Sequence, residues 1–281
     1  KNVEFDYVLD EGGTIVDGKL LTIKGDIALS GTCEKGYMDV TLTCKKAGGH
    51  ASTPDKPTAL ASVCKAVYRV EKQQMRPLWT PPVKELVKEL APHMPAIFKY
   101  VMVNRDIFSP LIKLVLPMIH PIGGALTKTT FAPTMAKGSG AANVLPPCAE
   151  AVINCRLITG NSVDDVLNHV KKVAGRGIDV GVIDSGVPAS LISPTDTDAY
   201  KNLVSVIKSA LPGAVVAPYM FIAATDSRYY YPICKNVYRF TPFAFSEDDQ
   251  SRVHALNERC NIDALKNAAE FFIALIEKTC V

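Results

Sequence analysis

Two short runs near the end of the chain carry the side chains best suited to chemistry. They are Thr225-Asp226-Ser227-Arg228 and Arg252-Val253-His254-Ala255-Leu256-Asn257-Glu258. Arginine presents a planar fork of N–H donors that can grip a carboxylate at two points. Histidine is a common metal ligand. A carboxylate held beside a metal points to amide hydrolysis on an acylated amino acid or a peptide. Each residue also has an ordinary reading, a surface arginine and a hydrogen-bonded histidine, and these two runs alone leave both open.

Three more residues stand where chemistry is done. Asp10 ends an apolar run and precedes Glu11-Gly12-Gly13. Carboxylates at strand ends of α/β sheets point into the ligand crevice, although Asp before Gly is also common turn chemistry. His50 lies in Gly48-Gly49-His50-Ala51-Ser52, between a strand and a helix, and Asn143 in Asn143-Val144-Leu145-Pro146, between two strands. A His and an Asn presented together can donate hydrogen bonds to a developing oxyanion. Taken singly, one is a helix-entry residue and the other a turn residue. His93 and His120 sit among prolines, and His169 falls on the exposed side of a helix.

The elements that must position these residues follow from periodicity. Val3 to Leu9 reads as a short strand, Leu20 to Cys33 as one or two more, and Tyr37 to Cys44 as a half-buried strand with Met38, Val40, Leu42 and Cys44 inward. A helix follows Thr53, with Pro54 in its first turn and Leu60, Val63, Cys64, Val67 and Val70 at helical spacing. Thr129 to Lys137 and Glu150 to Ile158 are strands. Ser162 is an N-cap with Asp165 three residues on, and Ile178 to Ile183 closes the set. From Tyr37 to Asp184 the order is β-α-β-β-α-β, the ferredoxin-like pattern. Its first and second strands run the same way, so the loops holding His50 and Asn143 leave the same edge of the sheet.

An insertion from Arg76 to Lys128 holds eight of the 19 prolines and reads as short helices with kinked joints. After Pro188, a helix at Asp198 to Ala210, strands at Ala214 to Phe221 and Val237 to Phe240, and a closing helix at Ile262 to Lys278 return the chain to α/β alternation. In that last helix Leu265, Ala269, Phe272 and Ile276 are expected to face inward.

At 281 residues and 48% hydrophobic, the chain can bury a large core in two domains. A net charge of +3 with both signs interspersed gives no footprint for nucleic acid. The longest apolar zone, Ile107 to Leu126, is broken by Lys113 and three prolines, so no membrane span is expected. None of the eight cysteines forms a Cys-x-x-Cys pair, which argues against a thiolate zinc site, and several, such as Cys64 and Cys155, fall in apolar runs where a reduced cysteine packs as a small hydrophobe, so a reducing, cytoplasmic compartment is expected. The chain opens at Lys1 inside a strand-like run with no signal peptide, which suggests a fragment or a processed chain.

Taken together, Leu9-Asp10-Glu11-Gly12-Gly13, Gly48-Gly49-His50-Ala51-Ser52, Asn143-Val144-Leu145-Pro146, Thr225-Asp226-Ser227-Arg228 and His254-Ala255-Leu256-Asn257-Glu258 resemble the dinuclear zinc aminoacylase/carboxypeptidase family of metallopeptidases. The subgroup resembled is that of the Gly-X carboxypeptidases and N-fatty-acyl-amino-acid hydrolases. The resemblance implies an α/β fold. A zinc-peptidase-like catalytic domain (residues 1–36 and 188–281) is interrupted by a ferredoxin-like lid/dimerisation domain (residues 37–187, with the helical insertion at 76–128). It implies that Asp10 binds one zinc and His254 the other, and that Arg228 holds the substrate's free carboxylate. His50 and Asn143 would belong to the lid, with His50 reaching across a homodimer to stabilise the tetrahedral intermediate. The insertion would shape an acyl-side pocket.

One departure is large. The family's His-x-Asp ligand motif, its bridging Asp and its Glu-Glu pair of general base and ligand have no counterpart here. Catalytic zinc takes at least three protein ligands. The expectation is therefore a zinc-dependent hydrolase of N-acyl amino acids or small peptides as the full-length protein, with two zinc ions. This segment alone is expected to bind zinc weakly or not at all and to be inactive. The alternative is a non-catalytic dimerisation or binding module, or an inactive fragment.

Overall fold

The computed structural model describes residues 4–104, 107–110, 112, 121–244, 252–253 and 255–280. The chain divides into two compact units, one of Lys1–Glu34, Trp79–Ile112 and Ser190–Val281, the other of Lys35–Leu78 and Lys113–Ala189.

In the first unit β1 (Val8–Asp10), β2 (Thr14–Asp17) and β3 (Asp26–Glu34) are joined later in the chain by β10 (Val215–Phe221) and β11 (Val237–Arg239). The strand order is β1-β11-β3-β10, with β2 also pairing with β3. β10 runs parallel to β3 and β1 parallel to β11, while β11 and β2 run antiparallel to β3. Helix α6 (Asp198–Ala210) starts at Thr197, whose Oγ1 accepts the Tyr200 N–H at 3.3 Å. It buries Leu203, Val206 and Ile207 in a core with Ala28, Val216 and Tyr238.

Helix α7 (Ile262–Thr279) adds Phe271 and Leu275 to that core. Its inward face differs from the expected one. Leu265, Phe272 and Ile276 are exposed, and Ala268, Phe271 and Leu275 are buried. Two apolar stripes one residue apart both satisfy helical spacing, so periodicity alone does not choose between them. The insertion forms short helices as expected, among them α2 (Pro81–Leu90) and α3 (Ala96–Val103). Trp79–Ile112 groups with this first unit, where α2 buries Val83, Leu86 and Leu90 and lies on β10.

The second unit is the ferredoxin-like sheet. Strands β4 (Gly36–Lys45), β6 (Thr130–Lys137), β8 (Cys148–Leu157) and β9 (Asp179–Val182) take the order β6-β8-β4-β9, all antiparallel. Met38, Val40, Leu42 and Cys44 alternate inward, each 2% exposed or less. They meet helices α1 (Ala59–Lys72) and α5 (Val163–Ala174) through Val63, Val70, Val166 and Val170.

The α5 capping box is as read from sequence. Ser162 Oγ accepts the Asp165 N–H at 3.1 Å, and Asp165 Oδ2 accepts the Ser162 N–H at 2.9 Å. Helix α1 is capped by Thr58, whose Oγ1 accepts the Ala61 N–H at 3.2 Å. The expected start after Thr53 is five residues early, since Pro54 and Pro57 lie in the turns before the helix. His169 is less solvated than expected. It stacks on Phe131 with ring centroids 5.5 Å apart, and its Nε2 contacts the Gln73 carbonyl at 2.7 Å.

At the start of this unit Lys35 is wholly buried, and its Nζ donates to the carbonyls of Ala125 and Lys128 at 2.9 Å each. These lie at the end of α4 (Pro121–Thr127), where partial negative charge favours a cation. Burial lowers the Lys35 pKa to about 7, with help from the nearby charges of Arg156 and Lys128. An unfolded lysine keeps its proton to about pH 10. Between about pH 7 and 10 the unfolded state therefore binds more protons, and stability rises with pH, by at most about 1.4 kcal/mol per pH unit. Urea unfolding at pH 7 and pH 9 should show this gain, and Lys35→Met should flatten it.

Candidate functional site

The first unit gathers charged side chains at the ends of its strands. β11 pairs with β1 so that Arg239 stands opposite Asp10. The same Arg239 is paired with Gly31 of β3. A Cβ on Gly31 would meet the Arg239 Cβ at 3.0 Å, so glycine there lets the arginine lie across β3. Its guanidinium reaches Glu34, the last residue of β3, with Nε donating to Oε2 at 3.1 Å.

Arg228 arrives from a 3-10 turn, Asp226–Tyr230, that opens on Thr225. Its Nε donates to Glu34 Oε1 at 2.7 Å. The Thr225 N–H and Oγ1 both donate to Glu34 Oε2, at 3.0 and 3.1 Å. Glu34 thus accepts two charge-assisted bonds and two further ones while fully buried. Arg239 is also fully buried, and the Arg228 side chain is 15% exposed. A buried carboxylate is tolerated when it is paired and hydrogen-bonded in this way.

Asp10 is tied to the same turn. Its Oδ2 accepts the Ser227 N–H and its Oδ1 the Glu11 N–H, both at 2.8 Å. The positive end of the turn and the carboxylate hold each other in place. Asp10, at the end of β1, is thus hydrogen-bonded to the turn that carries Arg228. Glu34 and Arg239 were missed. Each reads as part of a strand, and only the pairing of β3 with β11 makes them neighbours. A charged residue inside each apolar strand run was the one available signal. His254 lies outside the described residues.

Among the described residues no group of three His, Cys, Asp or Glu side chains could hold a metal ion. Asp10 offers one carboxylate, with an N–H already on each oxygen. A catalytic zinc needs at least three protein ligands. The described residues therefore do not make up the zinc centre that the sequence resemblance implies.

The second unit presents the other two candidates. A two-residue ladder joins β5 (Gly49–His50) to β7 (Val144–Leu145), with His50 opposite Val144. The Ala51 N–H donates to the Asn143 carbonyl at 2.9 Å. His50 and Asn143 therefore lie on paired backbone segments, and both are exposed. Gly48 adopts φ +74°, and a Cβ there would press on the Leu145 carbonyl at 3.1 Å, so the crossing needs glycine. His50 Nδ1 accepts the Ser52 N–H at 3.2 Å and contacts Ser52 Oγ at 2.7 Å. An Nδ1 that accepts an amide proton places the neutral ring's own proton on Nε2. Beside it a hollow of about 400 Å³ is lined by Ala51, Leu60, Val144, Leu145 and Pro146 among others.

Residues 32–180 match the M20 peptidase dimerisation domain. The N-fatty-acyl-amino acid synthase/hydrolase PM20D1 of Xenopus tropicalis is 32% identical over 282 residues, 99% of this chain and 55% of that protein. The probable carboxypeptidase S-like 2 of Dictyostelium discoideum is 31% identical over 277 residues, 98% of this chain and 53% of that protein. The chain spans about half the length of these curated relatives. The M20 family metallo-carboxypeptidase Sso-CP2 of Sulfolobus solfataricus shares the fold, with a TM-score of 0.66 at 15% identity over 97% of this chain and 63% of that one.

Removing the shared carboxylate should be costly, because it takes the charged partner from the fully buried Arg239. Glu34→Ala is expected to lose about 3–5 kcal/mol of stability, read by chemical denaturation.

Proposed function

This chain belongs to the M20 peptidase family, and on that premise we propose that the full-length protein hydrolyses amide bonds in N-acyl amino acids or small peptides that carry a free carboxylate. One observation carries the reading. Arg228 is held through Nε by a fully buried Glu34, on a turn whose backbone also binds Asp10. A guanidinium anchored from behind is suited to receive a carboxylate, since its orientation is set before the ligand arrives. An N-acyl amino acid and the last residue of a peptide end in the same group, which agrees with the names of both relatives.

In this reading Arg228 orients the substrate by its carboxylate. His50 supplies an Nε2–H donor for the oxyanion that forms as the amide carbonyl is attacked. Asn143, on the segment paired with Ala51, is assigned to the lid in this reading. The dimerisation domain supports a homodimer in which His50 serves the partner's site. In this reading Asp10, whose Oδ2 accepts the Ser227 N–H, is the metal-ligand candidate beside the turn. Two zinc ions belong to the full-length proposal.

A second reading has one observation in its favour. With no three-ligand set among the described residues, this stretch alone is suited to binding and dimerisation, and catalysis is reserved for the longer protein.

Arg228→Ala in the full-length protein tests the main proposal. It should cost about 2–5 kcal/mol in kcat/KM for a carboxylate-bearing substrate. Unchanged kcat/KM would remove Arg228 from the role.

A further inference from the structure

In the first unit a cleft of about 780 Å³ is bordered by α2, α6 and β10. Tyr200, Val216 and Pro218 line it while buried, and Glu85, Thr195 and Val204 line it half-buried. Tyr200 is 6% exposed, and its hydroxyl has no hydrogen-bond partner among the described residues. The Ser30 hydroxyl is in the same state, close enough to act on the Tyr200 phenol but not bonded to it. A buried hydroxyl without a partner costs free energy that a ligand can return.

The nearest charges identify that ligand. Burial holds the Tyr200 phenol well above its usual pKa, against the pull of Ser30, and the charges of Glu85 and Glu89 add to the rise. Both carboxylates are therefore close to a phenol that stays protonated. Glu85 Oε2 accepts the Thr195 hydroxyl at 3.2 Å, and no ion pair holds Glu85 among the described residues. Glu89 and Asp196 also border the cleft, as do Lys88, Lys201 and Lys208. Those five are exposed, and Lys201 is drawn to Asp198 at 3.3 Å. Water and salt screen exposed charges more than a half-buried one, so Glu85 decides the sign at depth. Among the described residues the acidic side chains do not converge as a metal-holding group. The ligand is then an organic cation with N–H donors, followed by apolar atoms to meet Val204, Val216 and Pro218.

We propose that this cleft binds a primary alkylammonium ion. Its N–H groups donate to Glu85 and to the Tyr200 oxygen, and its methylenes lie along the valines and the proline. A phenol oxygen accepts as well as donates, and an ammonium carries three donors.

The probe is n-pentylammonium chloride, titrated calorimetrically into the full-length protein at pH 7. It should bind saturably. n-Pentanol lacks the charge and n-pentyltrimethylammonium lacks the N–H donors, and each should bind about tenfold or more weakly. Glu85→Gln should weaken the probe about tenfold. Tyr200→Phe should weaken it too, yet leave the free protein at least as stable to urea, since it deletes a hydroxyl with no partner. A Tyr200→Phe protein that is less stable and still binds the probe normally would show a structural hydroxyl and overturn the proposal. Absence of saturable binding, equal binding of pentanol, or unchanged affinity in Glu85→Gln would also overturn it. Putrescine and Nα-acetyl-lysine methylamide then distinguish a free diamine from a lysine side chain as the natural source, by whichever binds more tightly.

Discussion

A carboxylate buried between two guanidinium groups holds together parts of the chain that are far apart in sequence. Glu34 ends β3, Arg239 ends β11, and Arg228 with Thr225 belongs to the turn between β10 and β11. None of these groups can be buried alone at acceptable cost. Each is therefore a condition for the others, and the turn that carries Arg228 is held as firmly as the strands beneath it. Asp10 joins the same arrangement through the Ser227 N–H. The position of the candidate substrate anchor is thus tied to the interior of the first unit.

The second unit works by different means. Its sheet and helices form a conventional apolar core around Val40, Leu42, Ile153 and Val166. The candidate groups stand outside that core, on a ladder of two residues per strand. What fixes them is backbone geometry. Glycines let the chain cross Leu145, the Ala51 N–H reaches the Asn143 carbonyl, and Ser52 holds the His50 ring in one tautomer.

Much of the architecture was legible before any coordinates. The alternation of Met38, Val40, Leu42 and Cys44, the Ser162–Asp165 box and the β-α-β-β-α-β order are local patterns, and the structure follows them. That the loops of His50 and Asn143 leave the same sheet edge also followed from strand directions alone, and β5 and β7 in those loops pair. Other readings failed where local rules are degenerate. Helix α7 carries two apolar stripes, and the sequence could not say which was buried. Thr53 and Thr58 are both plausible caps, and the prolines between them favoured the second.

The amino-acid sequence by itself determined the elements, the ferredoxin-like order and the family motifs, because these depend on spacing along the chain. It also singled out Asp10 and Arg228 by residue type. Only the tertiary structure decided that Glu34 and Arg239 share their site, since the three charges come from positions 34, 228 and 239 and meet through strand pairing. The spacing of residues along a strand records which face they occupy, and carries no mark of which distant strand will lie beside them.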